Sequence, residues 1–320
     1  MNQEPSGAPT ASIAGSTTTS GETGTGLRPK TKYDELPDAP PKKKIRLSWL
    51  GRFAALIVLF WVTIAIIGPY IAPFHVSDDL AADDIFLFPN TINWLGSDES
   101  ARDVLSRVLW GAQTTIGISF AATLLAYVVG ITLGLTAAVS KDTWIDTGLS
   151  RVNDALLSLP HIMFGLIIVA AIGSSVPIMI AAAGLIYATS VFRIARALGQ
   201  DIMVQDYVEA ARARGEGLWW IISREVLPNA FMPLLTDFGL RFVFIILFIS
   251  TLSFLGLGIQ PPLSDWGSMV NENRGAIYPG KNIWAVLAPS LAIASLTISI
   301  NIIVDDISAQ SGGALAKKMI

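Results

Sequence analysis

An all-α, polytopic membrane helix bundle with six transmembrane helices and a cytoplasmic helical loop is the fold class this sequence predicts. Three observations carry that expectation. Apolar residues make up 52% of the 320-residue chain and charged residues only 15%, with a mean hydropathy of +0.55, whereas a soluble domain carries about 25% charged residues. The apolar residues gather in runs close to the ~20 that a helix needs to cross a bilayer core. The loops between the runs alternate in positive charge, as the positive-inside rule requires of a multi-span protein.

Taken in order, residues 1–44 are rich in Gly, Ser, Thr, Pro and Lys and show no apolar periodicity. Such a segment buries too little surface to offset its ordering entropy, so it reads as a disordered cytoplasmic tail. It closes on "PPKKKIR", a basic run just before the first apolar stretch. That stretch lies too far from Met1 and is too long for a cleaved signal peptide. Residues 45–75 hold the first helix, and 76–306 a core with five more helices and a loop over 202–230. Residues 307–320 read as a cytoplasmic C-terminal tail. The expected spans are Trp49–Pro73, Thr114–Val139, Ala155–Gly173, Ser175–Phe192, Asp237–Gly258 and Ile283–Val304. The third and fourth, separated by little more than "GSSVP", form a tight hairpin. Pro160, Pro177 and Pro289 do not veto these helices, because neighbouring membrane helices satisfy the freed carbonyls.

Orientation follows from the flanks. One set holds Lys42, Lys43, Lys44, Arg46, Lys141, Arg151, Arg193, Arg196, Arg212, Arg214, Arg224, Lys317 and Lys318. The other holds only Arg102, Arg107, Arg274 and Lys281, among Asp78, Asp79, Asp83, Asp84, Asp98, Glu99, Asp103, Asp265 and Glu272. The sets alternate across six spans and put both termini in the cytoplasm.

The cytoplasmic block "DYVEAARARGEGLWWIISREVLPN", residues 206–229, carries chemistry that the spans lack. Its first part is made of good helix formers and stops at Gly215, the residue type usual just past a helix end. A second helix restarts at "LWWIISREVLPN", with Trp219, Trp220, Ile222 and Val226 available for an apolar face. Two readings remain open on composition. One is an amphipathic connector anchored by tryptophans at the headgroups. The other is a docking element, in which Ala210, Ala211 and Ala213 permit close approach and Arg212 and Arg214 offer charged contacts.

"EAARARG", followed by "LP" twelve residues after the glycine, resembles the EAA motif of ATP-binding-cassette (ABC) importer permeases. The matching residues are Glu209, Ala210, Ala211, Gly215, Val226, Leu227 and Pro228. Three further segments resemble the oligopeptide/dipeptide/nickel branch of that family: "WLGSDESARDVLSRVLWGAQTTIGIS", "RVNDALLSLP" and "FLGLGIQPPLSDWGSMV". The similarity covers roughly residues 45–306. The chain departs from the family where Ala101-Arg102-Asp103 stands for the usual Gly-Arg-Asp. Near the end, Asn301 and Asp305 match but Val304 replaces a glycine, and the final "DISAQSGGALAKKMI" diverges.

The resemblance implies a permease subunit whose loop docks on a separate ATPase. Glu209, Ala210, Ala211, Arg212, Gly215, Leu227 and Pro228 would then be the coupling residues, with Glu209 and Gly215 foremost. It implies a homologous second permease, two cytoplasmic ABC ATPases carrying ATP-Mg, and a periplasmic or extracellular solute-binding protein, within a bacterial-type inner membrane and in contact with its lipid. The chain itself is expected to bind no cofactor and no nucleic acid. His161, within the third span, either faces the pathway or packs against a neighbouring helix. Asp265 and Trp266 are candidates for a gate or a binding-protein contact. Arg151 and Asp154, three apart, can pair within a helix, and Arg241 near the inner end of the fifth span can snorkel.

The residues exclude other classes. Without cysteines, and with His75 and His161 far apart, no thiolate or histidine metal site and no cysteine catalysis is expected. No convergent nucleophile and base points to a membrane enzyme, so no catalytic residue is assigned. There is no phosphate-binding loop, so energy must come from another chain. A secondary transporter without an ATPase is the alternative, but no inverted repeat is evident.

Overall fold

The computed structural model describes residues 47–75, 82, 84–141 and 143–316. The tail over 1–44 and the flanking charges Lys42, Lys43, Lys44, Arg46, Asp78, Asp79, Asp83, Lys317 and Lys318 lie outside the described residues. Among the described residues the fold is helical, with one isolated bridge between Ser97 and Asp103 and no strand. The helices are α1 (Trp49–Ile71), α2 (Val104–Val139), α3 (Trp144–Leu157), α4 (His161–Ile172), α5 (Val176–Met203), α6 (Asp206–Ala213), α7 (Leu218–Ile221), α8 (Leu227–Leu252), α9 (Trp266–Glu272) and α10 (Trp284–Ala316). A π-helical turn over Ile222–Val226 joins α7 to α8, and another follows α8 over Ser253–Leu257.

Five helices are long and apolar enough to cross a membrane: α1, α2, α5, the α7–α8 run Leu218–Leu257, and α10. Six spans are reached by counting α3 and α4 as one, and this pair is bent by 86°. The continuous third span expected over Ala155–Gly173 is therefore corrected to two helices. Pro160 is the cause. It supplies no N–H and drives the residue before it out of helical geometry, so α3 ends at Leu157 and Pro160 caps the start of α4. The 12 residues of α4 rise only about 18 Å, short of a hydrocarbon core about 30 Å thick.

Helix α3 is tied down by a bond that the sequence did not announce. Arg196 of α5 donates from Nε and Nη2 to both carboxylate oxygens of Asp146, at 2.6 and 2.8 Å. The pair that their spacing allows between Arg151 and Asp154 does not form; both side chains are exposed. Helices α2, α5 and α10 outrun their expected spans, and α8 starts ten residues before its own. Helix α2 begins ten residues before Thr114, capped by the Asp103 side chain accepting from Ser106 N–H. Helix α10 continues as far as Ala316, past the expected tail boundary at 306.

The core forms where α2, α4, α5 and α8 meet. Helices α2 and α5 pack through small residues, as membrane helices do in the absence of a strong hydrophobic drive between them. A Cβ built on Gly130 would fall 2.6 Å from Val191 Cβ, and one on Gly134 2.6 Å from the Phe192 carbonyl. Helix α1 lies outside this core against α2 and α10. Its Trp61 indole donates to Ser295 Oγ at 2.9 Å and meets Trp266 edge-on at 4.9 Å. The opposite face of α1, including Leu56, Leu59 and Ile66, is exposed, as a lipid-facing surface would be.

Candidate coupling site

Helix α6 closes with a full set of terminal bonds. Gly215 N–H donates to the Arg212 carbonyl at 2.9 Å, and Glu216 N–H to the Ala211 carbonyl at 3.2 Å. This is the Schellman arrangement, which needs a residue in the left-handed region. Gly215 has φ +84°, and nothing lies within 4 Å of where its Cβ would stand. The glycine is required by conformation, since there is space for a larger residue.

The corner is anchored from beneath. Val208 and Ala211 pack with Ile221 and Val226 against Leu135 and Met203 of α2 and α5. Ala211 is fully buried, so the expectation that it meets a partner is corrected: its methyl seats α6 on its own chain. Glu209, Ala210, Arg212, Ala213 and Arg214 remain exposed on the outer face of α6 and its cap. Of the tryptophans, Trp219 is 79% exposed, while the buried positions of the second helix are Ile221 and Val226.

Leu227 and Pro228 are both exposed and begin α8, so the chain passes from α7 to α8 without leaving helical geometry. Pro228 accounts for the π-helical turn just before it. Its ring would clash with a carbonyl in a regular turn, and widening the turn relieves the clash. The result is an exposed helix, a glycine corner and then a near-continuous helical run to Leu255.

The other candidates sit elsewhere. Asp265 and Trp266 are fully buried. Asp265 caps α9, with Oδ1 accepting from Gly267 and Ser268 N–H at 2.9 and 3.2 Å. Burial pushes its carboxyl above the usual range, and the donors on Ser268 and Gly267 pull it partly back. The Trp266 indole donates to the Val108 carbonyl at 3.0 Å, wedging α9 against α2. His161 is half-buried at the start of α4, its ring 5.1 Å from that of Tyr187. The candidate coupling residues thus lie on α6, its cap and the start of α8, whereas His161 and the Asp265–Trp266 pair do not join them. No group of three or more His, Asp or Glu side chains suited to a metal occurs among the described residues.

Two charged clusters escaped the sequence reading. On the far side from α6, Arg107 is 3% exposed and pairs with Asp98 at 2.6 Å and Glu272 at 2.9 Å. Arg102 bonds the same two carboxylates at 3.1 and 2.7 Å. Inside the bundle, Asp237 accepts from the Tyr127 hydroxyl at 2.6 Å and from Arg241 Nε at 3.3 Å. Each cluster holds an acid four residues before an arginine, a spacing that could have flagged both. Arg241, expected to snorkel from the inner end of a span over Asp237–Gly258, is paired with Asp237 within the run Leu218–Leu257.

A family model described as "Binding-protein-dependent transport system inner membrane component" matches residues 130–309, spanning α5, the glycine corner and α8. The chain belongs to this family. The permease is 31% identical to a glutathione transport system permease protein of Pectobacterium atrosepticum, over 79% of this chain and 83% of the relative. It is 29% identical to a dipeptide transport system permease protein of Alkalihalophilus pseudofirmus, over 82% and 85%. A structure of the MetNI methionine ABC transporter in an inward-facing conformation superposes with a TM-score of 0.50 at 14% identity, covering 63% of this permease and 96% of that chain. That last likeness concerns the fold. The permease is thus a multi-pass inner-membrane protein of the ABC importer class, in the peptide/dipeptide branch.

Proposed function

We propose that this permease forms half of a translocation path for a peptide-like solute and receives its driving motion through α6. A homologous second permease completes the path. Two ABC ATPases carrying ATP-Mg dock at the loop over 202–230, and a solute-binding protein delivers cargo at the opposite face. Both termini lie in the cytoplasm, and the exposed apolar faces meet lipid. The chain's own part is mechanical: it transmits displacement, and hydrolysis belongs to the partner.

One observation carries this reading. The exposed face of α6 is joined through a conformationally fixed corner to a helix that runs on to Leu255. Closure of the ATPases would push on α6 and rock α8 as a rigid body, a known route between inward- and outward-facing states. The bland alternative, a surface connector, requires no fixed corner. The test is co-purification of the ATPases, with cellular uptake, for Glu209→Ala and Gly215→Pro. Proline cannot adopt the positive φ of residue 215. Both variants should insert normally yet lose ATPase and transport. Normal transport by both would refute the docking role.

A further inference from the structure

Asp237 and Arg241 lie one turn apart on α8, within the Leu218–Leu257 run. Asp237 is well satisfied, taking the Tyr127 hydroxyl of α2 at 2.6 Å as well as Arg241 Nε. Arg241 is not. Among the described residues only its Nε has a partner, and its side chain keeps 19% exposure. A guanidinium inside a run long and apolar enough to cross a membrane is costly against acyl chains. Such groups turn toward the bundle interior or a water-filled cavity and mark solute or ion paths. Its surroundings fit that role. His161 of α4 meets Tyr187 of α5 ring to ring at 5.1 Å, beside the stretch of α8 that follows Arg241. Tyr187 bonds the Phe244 carbonyl and stacks edge-on with Phe248. Polar and aromatic groups therefore converge on one stripe of α8.

From this arrangement we propose that Arg241, steadied by Asp237, is a carboxylate-binding subsite in the translocation path. The two Nη groups, unpartnered among the described residues, form a planar fork that matches a carboxylate with two parallel bonds. Asp237 holds the guanidinium through Nε and leaves that fork free. Tyr127 pins Asp237, so the fork is preset before the solute arrives. The subsite rests on the peptide-like reading given above, because a peptide or glutathione brings a free carboxylate to the path. A carboxylate of the second permease would satisfy the same fork, and the test separates the two sources.

The assay is uptake of labelled dialanine and labelled glutathione by cells expressing the whole complex. Complex abundance and ATP hydrolysis stimulated by the binding protein are read in parallel. Arg241→Gln should lower uptake of at least one probe by about tenfold to a hundredfold, the worth of a charge-assisted hydrogen bond. Abundance and ATP hydrolysis should hold, and Arg241→Lys should keep part of the uptake. The double variant Asp237→Asn with Arg241→Gln removes any stranded charge, and it should stay as deficient as Arg241→Gln alone. Recovery of uptake in the double variant would overturn the proposal, because the pair would then be structural. Loss of abundance in step with uptake would also overturn it, because the arginine would then serve assembly with the second permease. Wild-type cells that take up neither probe, while their ATPases still co-purify, would refute the peptide-like reading and the subsite with it. Wild-type uptake that Arg241→Gln leaves unchanged would refute the subsite alone.

Discussion

Arg107 is buried with its charge, and two carboxylates from different parts of the chain make that possible. Removing one partner of a buried pair leaves the other uncompensated, which costs about 3–5 kcal/mol. Asp98→Ala should therefore lower the melting temperature of the purified permease sharply. Glu272→Ala should do so less, since Glu272 is 29% exposed and better screened. Equal losses would show that the network is not organised around Asp98. Asp265 makes the opposite case. Its folded-state carboxyl is raised by burial, so its ionisation opposes folding, and the neutral form is favoured as pH falls. Asp265→Asn keeps a good cap without the charge. It should match or exceed wild-type stability at pH 8, with its advantage shrinking toward pH 5. A large loss at pH 8 would contradict this. Of these contacts, the sequence could offer only the spacing of Asp98 and Arg102. Glu272 lies 170 residues from Arg102, and no local pattern announces such a partner. Ala101, where the family has glycine, carries φ +55° in the structure, which gives the expected departure a backbone conformation.

At the level of helices, the apolar runs and glycine signals were legible, because bilayer thickness and helix termination act locally on the chain. Their limits were less so. Helices α2, α5 and α8 continue beyond the apolar windows, held by contacts that hydropathy does not register. The break at Pro160 was visible as a proline, yet only packing decides whether a membrane helix bends there or merely kinks. Val304, which the resemblance marks as a departure, also gains a contact. Gly239 on α8 faces Val304 on α10, and a Cβ at 239 would fall 2.4 Å from Val304 Cγ2. The small residue needed at this contact is thus supplied by α8. Gly239→Ala should destabilise by about 1–3 kcal/mol through overpacking, and Val304→Ala should restore much of that loss. Thermal denaturation of the two single variants and the double variant reads the coupling. Additive effects would mean that these helices do not meet as described.

For the molecule as a whole, the coupling corner lies at one end of the α8 run and the buried Arg102–Arg107 network on the other side of the bundle. The paired Asp237 and Arg241 sit between them. An exposed α6 that moves with an ATPase would act on this run through the fixed turn at Gly215, and small displacements at the corner would reach the path as a tilt of α8. The turn at Gly215 was legible because it depends on local chain geometry. The inward-facing Ala211 was not, because burial depends on α2 and α5. The chain contains no cysteine, so a single thiol can be introduced without competition. The most direct test places one at the exposed Ala210 by Ala210→Cys and another at the exposed Tyr278 by Tyr278→Cys, each reacted with a thiol–amine crosslinker in native membranes. The account predicts that the Ala210 thiol links to an ATPase subunit, with a yield that changes on adding ATP-Mg, and that the Tyr278 thiol does not. An Ala210 thiol that links to no ATPase in membranes that still transport would contradict it.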